Sequence, residues 1–239
     1  MVKIYRDAFR FFFASLPALL AFAALIEITL WFLRPKHESS ITFVSLIILA
    51  YIFHRHFLFG EPFSFFGNKA AADAPPFRLG WFLLFSAALV LAPVVISFVL
   101  ALAGLGLLLP GSFLLLILPL YLLLLSLFGT GLPAIVARDE NYDPSEGLRL
   151  TLSTMWRLIL GPGLVGLAGM AAALLADHGL SLLGLGERHL AYLAANIAMR
   201  TIGFLNTIMA VAVLCEMYRR CRPDSEPSPE PATGESGPA

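Results

Sequence analysis

The chain has 239 residues, of which 59% are hydrophobic and only 13% charged, and its formal net charge is zero. Soluble domains carry roughly 45–50% apolar and about 25% charged residues, so a water-soluble fold of this size has nowhere to hide such a surface. A nucleic-acid partner is excluded on charge, and the polytopic membrane protein class remains.

A membrane-spanning helix needs about 20 mostly apolar residues. Six stretches qualify: 11–33, 41–59, 79–104, 111–136, 158–176 and 190–215. The first follows Lys3, Arg6 and Arg10 as a signal peptide would. It is too long for a signal core, though, and ends in Trp31-Phe32-Leu33 rather than small residues, so it reads as an uncleaved helix. The second is the shortest and ends in His54-Arg55-His56. The connection 60–78 mixes Phe63, Phe65 and Phe66 with glycine, alanine and proline, and its rings suit the membrane interface. The fourth stretch is nearly all leucine around Pro119.

The connection before the fifth span is the most structured. Asn141 and Asp143 can cap a helix that begins at Pro144, with Glu146 complementing its dipole. Leu148, Leu152 and Met155 recur at helical spacing, which predicts a short amphipathic helix over 144–156 lying on the cytoplasmic membrane surface. In the fifth span, Gly163, Gly166 and Gly169 allow close helix approach, within the bundle or by self-association. Residues 1–222 thus form a six-helix membrane domain. The tail 223–239, rich in Pro, Ser, Glu and Gly, is expected to be disordered.

Positive loops stay on the cytoplasmic side. Lys3, Arg6, Arg10, Arg55, Lys69, Arg78, Arg138, Arg149, Arg157, Arg219, Arg220 and Arg222 fall on one side of the six-span plan. Arg34, Lys36 and Arg188 fall on the other. Both termini are therefore expected in the cytoplasm, in an all-α fold.

The run Leu132-Pro133-Ala134-Ile135-Val136, then Asp139, then a Leu/Arg/Ser helix ending in Trp156-Arg157-Leu158, resembles a prokaryotic membrane family. It is the group related to the membrane domain of glycerophosphoryl diester phosphodiesterases, with its uncharacterised six-span relatives. The segment from Leu205 to Tyr218-Arg219-Arg220 is similar to that family's last helix. The resemblance covers about the last half of the chain. It departs in the position of the acid and in the spacing of Ser153 from Trp156. It implies an all-helical module of the prokaryotic plasma membrane and no phosphodiesterase chemistry, which resides in a separate soluble domain.

Two charges lie inside spans, where each costs roughly 2.5–3.5 kcal/mol on insertion scales. Glu27 is about 9 Å from the far end of the first span, and Arg200 about 15 Å from that end of the sixth. A guanidinium side chain bridges that offset, so the two are expected to pair. Asn196, one turn from Arg200 on the same face, is expected to complete the network. The same three residues are the candidate lining of a solute path.

Nothing else gathers into chemistry. Cys215 and Cys221 have no metal-ligand spacing, and His54 and His56 point to different helix faces. His37, His178 and His189 sit near acids in the outer loops without a metal motif, and no nucleophile–base set or phosphate loop is visible. The expectation is a protein without cofactor or metal, partnered by membrane lipids. It reads as a non-enzymatic accessory or scaffold factor in envelope or lipid homeostasis, or alternatively as a small transporter of a hydrophobic or lipid-related solute.

Overall fold

A computed structural model describes residues 2–33, 38–63, 75–76, 79–100, 112–184 and 189–222. All regular structure among them is helical. The helices are α1 (Val2–Leu33), α2 (Glu38–Phe59), α3 (Leu79–Leu100), α4 (Ser112–Phe128), α5 (Gly131–Ala137), α6 (Pro144–Arg149), α7 (Thr151–Leu158), α8 (Leu164–Leu182) and α9 (Leu190–Cys221). Five helices among the described residues are long and apolar enough to cross a membrane, or six if the bent pair α4–α5 counts as one span. The expected tail 223–239, the rings of Phe65 and Phe66, and the basic residues Arg34, Lys36, Lys69, Arg78 and Arg188 lie outside the described residues.

The helices depart from the expected spans where special residues act. α1 begins at Val2, so the basic residues before Phe11 are helical too. The fourth expected span, 111–136, is broken after Phe128 and bends by 44°. Gly129 lies at the break, and a Cβ there would stand 2.2 Å from the Leu125 carbonyl oxygen and 2.8 Å from Leu214. No other residue fits so close an approach.

The single surface helix expected over 144–156 is two elements. α6 starts as foreseen: Asp143 accepts the Ser145 backbone N–H at 2.8 Å, with Pro144 in the first turn. It ends at Arg149, and after Leu150 the chain enters α7, which belongs to one 32-residue apolar helix, Thr151–Leu182. The exposed side chains Leu148, Leu152, Trp156, Leu160 and Leu164 follow one another at intervals of four. The apolar stripe of the expected surface helix is therefore continuous with the outward face of the span.

Between α7 and α8 lies a π-helical turn, Ile159–Gly163, containing Pro162. In a π pattern the Arg157 carbonyl looks to residue 162, and proline has no N–H to offer. The Tyr5 hydroxyl of α1 donates to that carbonyl instead, at 2.7 Å. Gly161 makes room for the ring, since a Cβ there would lie 2.4 Å from it. A proline-induced gap in α7–α8 thus becomes a cross-link to the start of α1.

α9 is the central element. It packs against α1, α2, α8, the π turn and α5 to α7, while α3 and α4 pair with each other. From Thr201 to Cys221 its side chains are mostly buried; from Leu190 to Arg200 they are exposed or half-buried. Gly166 and Gly169 use their small size inside the chain. A Cβ on Gly166 would meet Asn206 of α9 at 3.5 Å, and one on Gly169 would meet Ile202 at 3.1 Å. Gly163 instead lies against the Leu158 carbonyl of its own helix.

Candidate functional site

Three polar clusters and one cavity stand out. The first cluster is the charged pair inside two candidate spans. Arg200 of α9 donates through Nε to Glu27 of α1, and through Nη1 to the Thr42 hydroxyl of α2 at 3.3 Å. Both charged side chains are largely buried, at 14% and 9% exposure. Three helices are thereby joined at one point. Asn196 is exposed, and the third partner of the network is Thr42. Asn196 is a turn from Arg200 on the same face, but it lies further toward the start of α9, where no side chain is fully buried.

The second cluster surrounds Arg55, at the end of α2, which sequence placed in a basic loop. Its guanidinium is almost fully buried and binds Glu61 with two bonds, Nε to Oε2 at 2.7 Å and Nη2 to Oε1 at 2.5 Å. Nη1 donates to the Pro75 carbonyl at 2.7 Å, and the Phe59 ring lies 5.6 Å away. Gly60 makes this possible. Its φ of +70° reverses the chain straight after the helix and brings Glu61 back onto Arg55. Phe63 follows inward and packs against Phe11 and Phe53 at 6.1 and 5.8 Å. His56 lies 2.6 Å from the Glu61 carbonyl and stacks on Phe11. The signal in the sequence was a glycine followed by an acid just past a His-Arg-His helix end.

The third cluster closes the end of α9. Asp139, nearly inaccessible, accepts from the Tyr218 hydroxyl at 2.8 Å and pairs with Arg222 at 2.6 Å. Arg138 just before it ends α5 at φ 55°, the left-handed turn that re-aims the chain. The acid singled out by the family resemblance thus ties α9 to the α5–α6 connection. Nearby, Tyr142 and Thr130 share a 2.6 Å hydrogen bond. Burial holds the Tyr142 hydroxyl above its ordinary pKa, with Thr130 opposing. Asp143, fully exposed, is held below the ordinary aspartate value by the Ser145 hydroxyl and backbone N–H.

These last two clusters gather at one end of the bundle, where α1 begins, α2 and α9 end and α7 begins. Arg219 donates to the Phe57 carbonyl there. Arg157 lies buried beside Tyr5, and its Nε and Nη1 have no hydrogen-bond partner among the described residues.

A cavity of about 710 Å³ lies between α2, α3, α4, α8 and α9. Its wall is mainly apolar, with Phe82, Leu89, Leu122 and Leu214 among the lining side chains. His54, Ser86, Tyr121, Asn206 and Thr207 are its polar members. Neither Glu27 nor Arg200 lines it. Sequence reasoning missed this cavity, because no periodicity marks a space between helices that are apolar all round. Cys215 and Cys221 are buried free thiols. Of the histidines expected in outer loops, His178 and His189 are exposed, whereas His37 lies outside the described residues.

Comparison with known proteins returned no match: no family model, no curated protein and no solved structure.

Proposed function

We propose that this chain is a six-span integral protein of a prokaryotic plasma membrane, with both termini in the cytoplasm, that serves as a non-enzymatic accessory or scaffold factor in envelope or lipid homeostasis. Its partners in this reading are membrane lipids, and it needs no cofactor. The kinship with the phosphodiesterase membrane-domain group rests on the residues quoted for it above.

The observation that carries the reading is how two buried ion pairs are used. Glu27 and Arg200 bind each other and Thr42, and Arg55 binds Glu61. Each buried pair joins elements and leaves neither partner free to bind a solute. Buried ionisable groups that serve substrates or protons face a cavity or water path, whereas these face each other. The clustering of basic side chains at the end of the bundle shared by α1's start and α9's finish supports a cytoplasmic assignment for that end.

Topology reporters test the first half of the proposal. Fusions after residues 70, 145 and 230 should report inside, and those after 37 and 183 outside. An outside signal at 145 overturns it. Affinity purification in mild detergent, with bound proteins and lipids identified, tests the second half; reproducible co-purification of a partner protein or of a restricted lipid set is expected. Recovery of the bare chain with bulk lipid alone rejects the accessory role.

One observation favours a second reading, a carrier of hydrophobic solutes: the cavity is large and apolar. In that reading the solute meets the cavity wall, and the Glu27–Arg200 pair keeps a structural role.

A further inference from the structure

The cavity wall contains a specific chemical request. The His54 side chain is 1% exposed, on the wall contributed by α2. Its Nδ1 lies 2.7 Å from the Ala50 carbonyl oxygen. A carbonyl only accepts, so Nδ1 carries the proton and donates. In an apolar wall the imidazole is neutral, which leaves Nε2 as a bare acceptor. That nitrogen has no partner among the described residues, and the same holds for Asn206 Oδ1 on the α9 wall. Two buried polar atoms, both on residues that line the cavity, thus lack a donor among the described residues, whereas buried acceptors in folded proteins are almost always satisfied.

The mouth of the cavity says where the donor comes from. Leu118 of α4 and Leu164, Leu167 and Met170 of α8 are each more than half exposed and line the cavity. They stand in the apolar lengths of candidate spans. The opening is therefore lateral, between α4 and α8, and faces acyl chains rather than water. The volume lies within the range of about 300–1,000 Å³ typical of ligand sites.

We propose that this cavity is a binding site for a single-chain membrane lipid whose polar end is a hydroxyl, which enters between α4 and α8 and donates its hydrogen bond to His54 Nε2 or Asn206 Oδ1. The chain fills the apolar wall of Leu89, Leu122 and Leu214. The site discriminates against lipids that present only acceptors there, since an ether or ester oxygen would face His54 Nε2 without a proton between them. This rests on the chain being membrane-embedded, but not on the number or direction of its spans. Failure of the topology reporters therefore leaves it standing, and its own failure leaves them standing.

The test uses the full-length protein in mild detergent and a diazirine-bearing hexadecanol as probe. On illumination, labelling should concentrate on α2, α3, α4 and α9 residues of the cavity wall. Unlabelled hexadecanol should compete about tenfold better than its methyl ether or hexadecane, the scale of one buried hydrogen bond. His54→Leu removes one acceptor, together with the edge-on ring contact of His54 with Phe82, and Asn206→Leu removes the other. In at least one of the two variants, hexadecanol should lose its advantage over the ether while hexadecane still competes. Leu122→Trp, which fills the cavity, should abolish saturable labelling of the wall. Unchanged melting temperatures separate these effects from misfolding. Equal competition by alcohol and ether in the unmodified protein overturns the proposal, as does labelling spread evenly over all lipid-facing helices. Retention of the alcohol's advantage in the double variant His54→Leu/Asn206→Leu overturns the assignment of the acceptors.

Discussion

The two ends of the bundle are built differently. At the end where α1 begins and α9 finishes, α9 is encased and several polar contacts act together. Arg55 grips Glu61, Asp139 binds Tyr218 and Arg222, Tyr142 meets Thr130, and Tyr5 reaches the Arg157 carbonyl. Toward the other end, α9 from Leu190 to Arg200 is exposed or half-buried, and the last turns of α8 are largely exposed. There the helices α1, α2 and α9 are tied through one ionic node, Glu27–Arg200–Thr42. The difference teaches that apolar surface alone does not choose helix partners in a membrane, where lipid is as apolar as leucine; polar pairs and close glycine contacts do. Among the described residues, one end specifies its arrangement through several polar contacts and the other through a single ionic node.

The largest expected effect comes from the most buried pair. Glu61→Leu leaves the Arg55 guanidinium buried without its carboxylate, and about 3–5 kcal/mol of stability should be lost. Thermal unfolding in detergent should show it. A loss under about 1 kcal/mol would mean that the Pro75 carbonyl and Phe59 suffice for Arg55.

Glu27→Leu should cost somewhat less, toward about 3 kcal/mol, because Arg200 is more exposed than Arg55 and keeps Thr42. The double variant Glu27→Leu/Arg200→Leu should recover most of the loss, since both charges leave together. Strictly additive losses in the double-mutant cycle would show that the two do not interact. Comparing accessibility of cysteines introduced at 193 and 217 would then locate the damage. Loosening should be confined to the first site if a single node holds that end.

Two glycines sharpen the contrast further. Gly147→Ala should cost about 1–3 kcal/mol, because the new methyl falls 2.5 Å from Thr130 Oγ1 and 2.9 Å from the Tyr142 hydroxyl. Gly166→Ala, whose methyl meets Asn206 at an ordinary 3.5 Å, should be tolerated and gain the helix propensity of alanine. The reverse ranking would mean that α8 and α9 approach more closely than the bundle's other end does. Gly60→Ala meets no neighbouring atom within 4 Å, so its cost of about 1 kcal/mol comes only from the left-handed backbone. It should fall on the Arg55–Glu61 turn, read as faster hydrogen exchange at the residue 60 amide, which donates to the His56 carbonyl.

The smallest effect is one of pH. The Asp143 pKa is lowered in the folded chain, so the stability it lends α6 is present above the unfolded value of about 3.9 and is lost as pH falls through the lower folded value. Exchange at the α6 N-terminus should quicken on acidification. Asp143→Asn, which still caps, should abolish that dependence.

Much of this protein was legible as text. Runs of about 20 apolar residues demand a bilayer and force helices, because each backbone polar group must be satisfied within its own segment. Glu27 and Arg200 announced themselves because a charge in such a run needs a partner, and matched depth follows from the helical rise alone. The α6 start was written in Asp143-Pro144 by local geometry. What only the tertiary structure decided depends on helix rotation and crossing. Thr42 rather than Asn196 joins the Arg200 node, Arg55 folds inward onto Glu61, Pro162 borrows Tyr5 from α1, and five helices leave a cavity beside His54. Helices that are apolar around their whole circumference mark no face for their neighbours, so periodicity carries no record of which side chains meet.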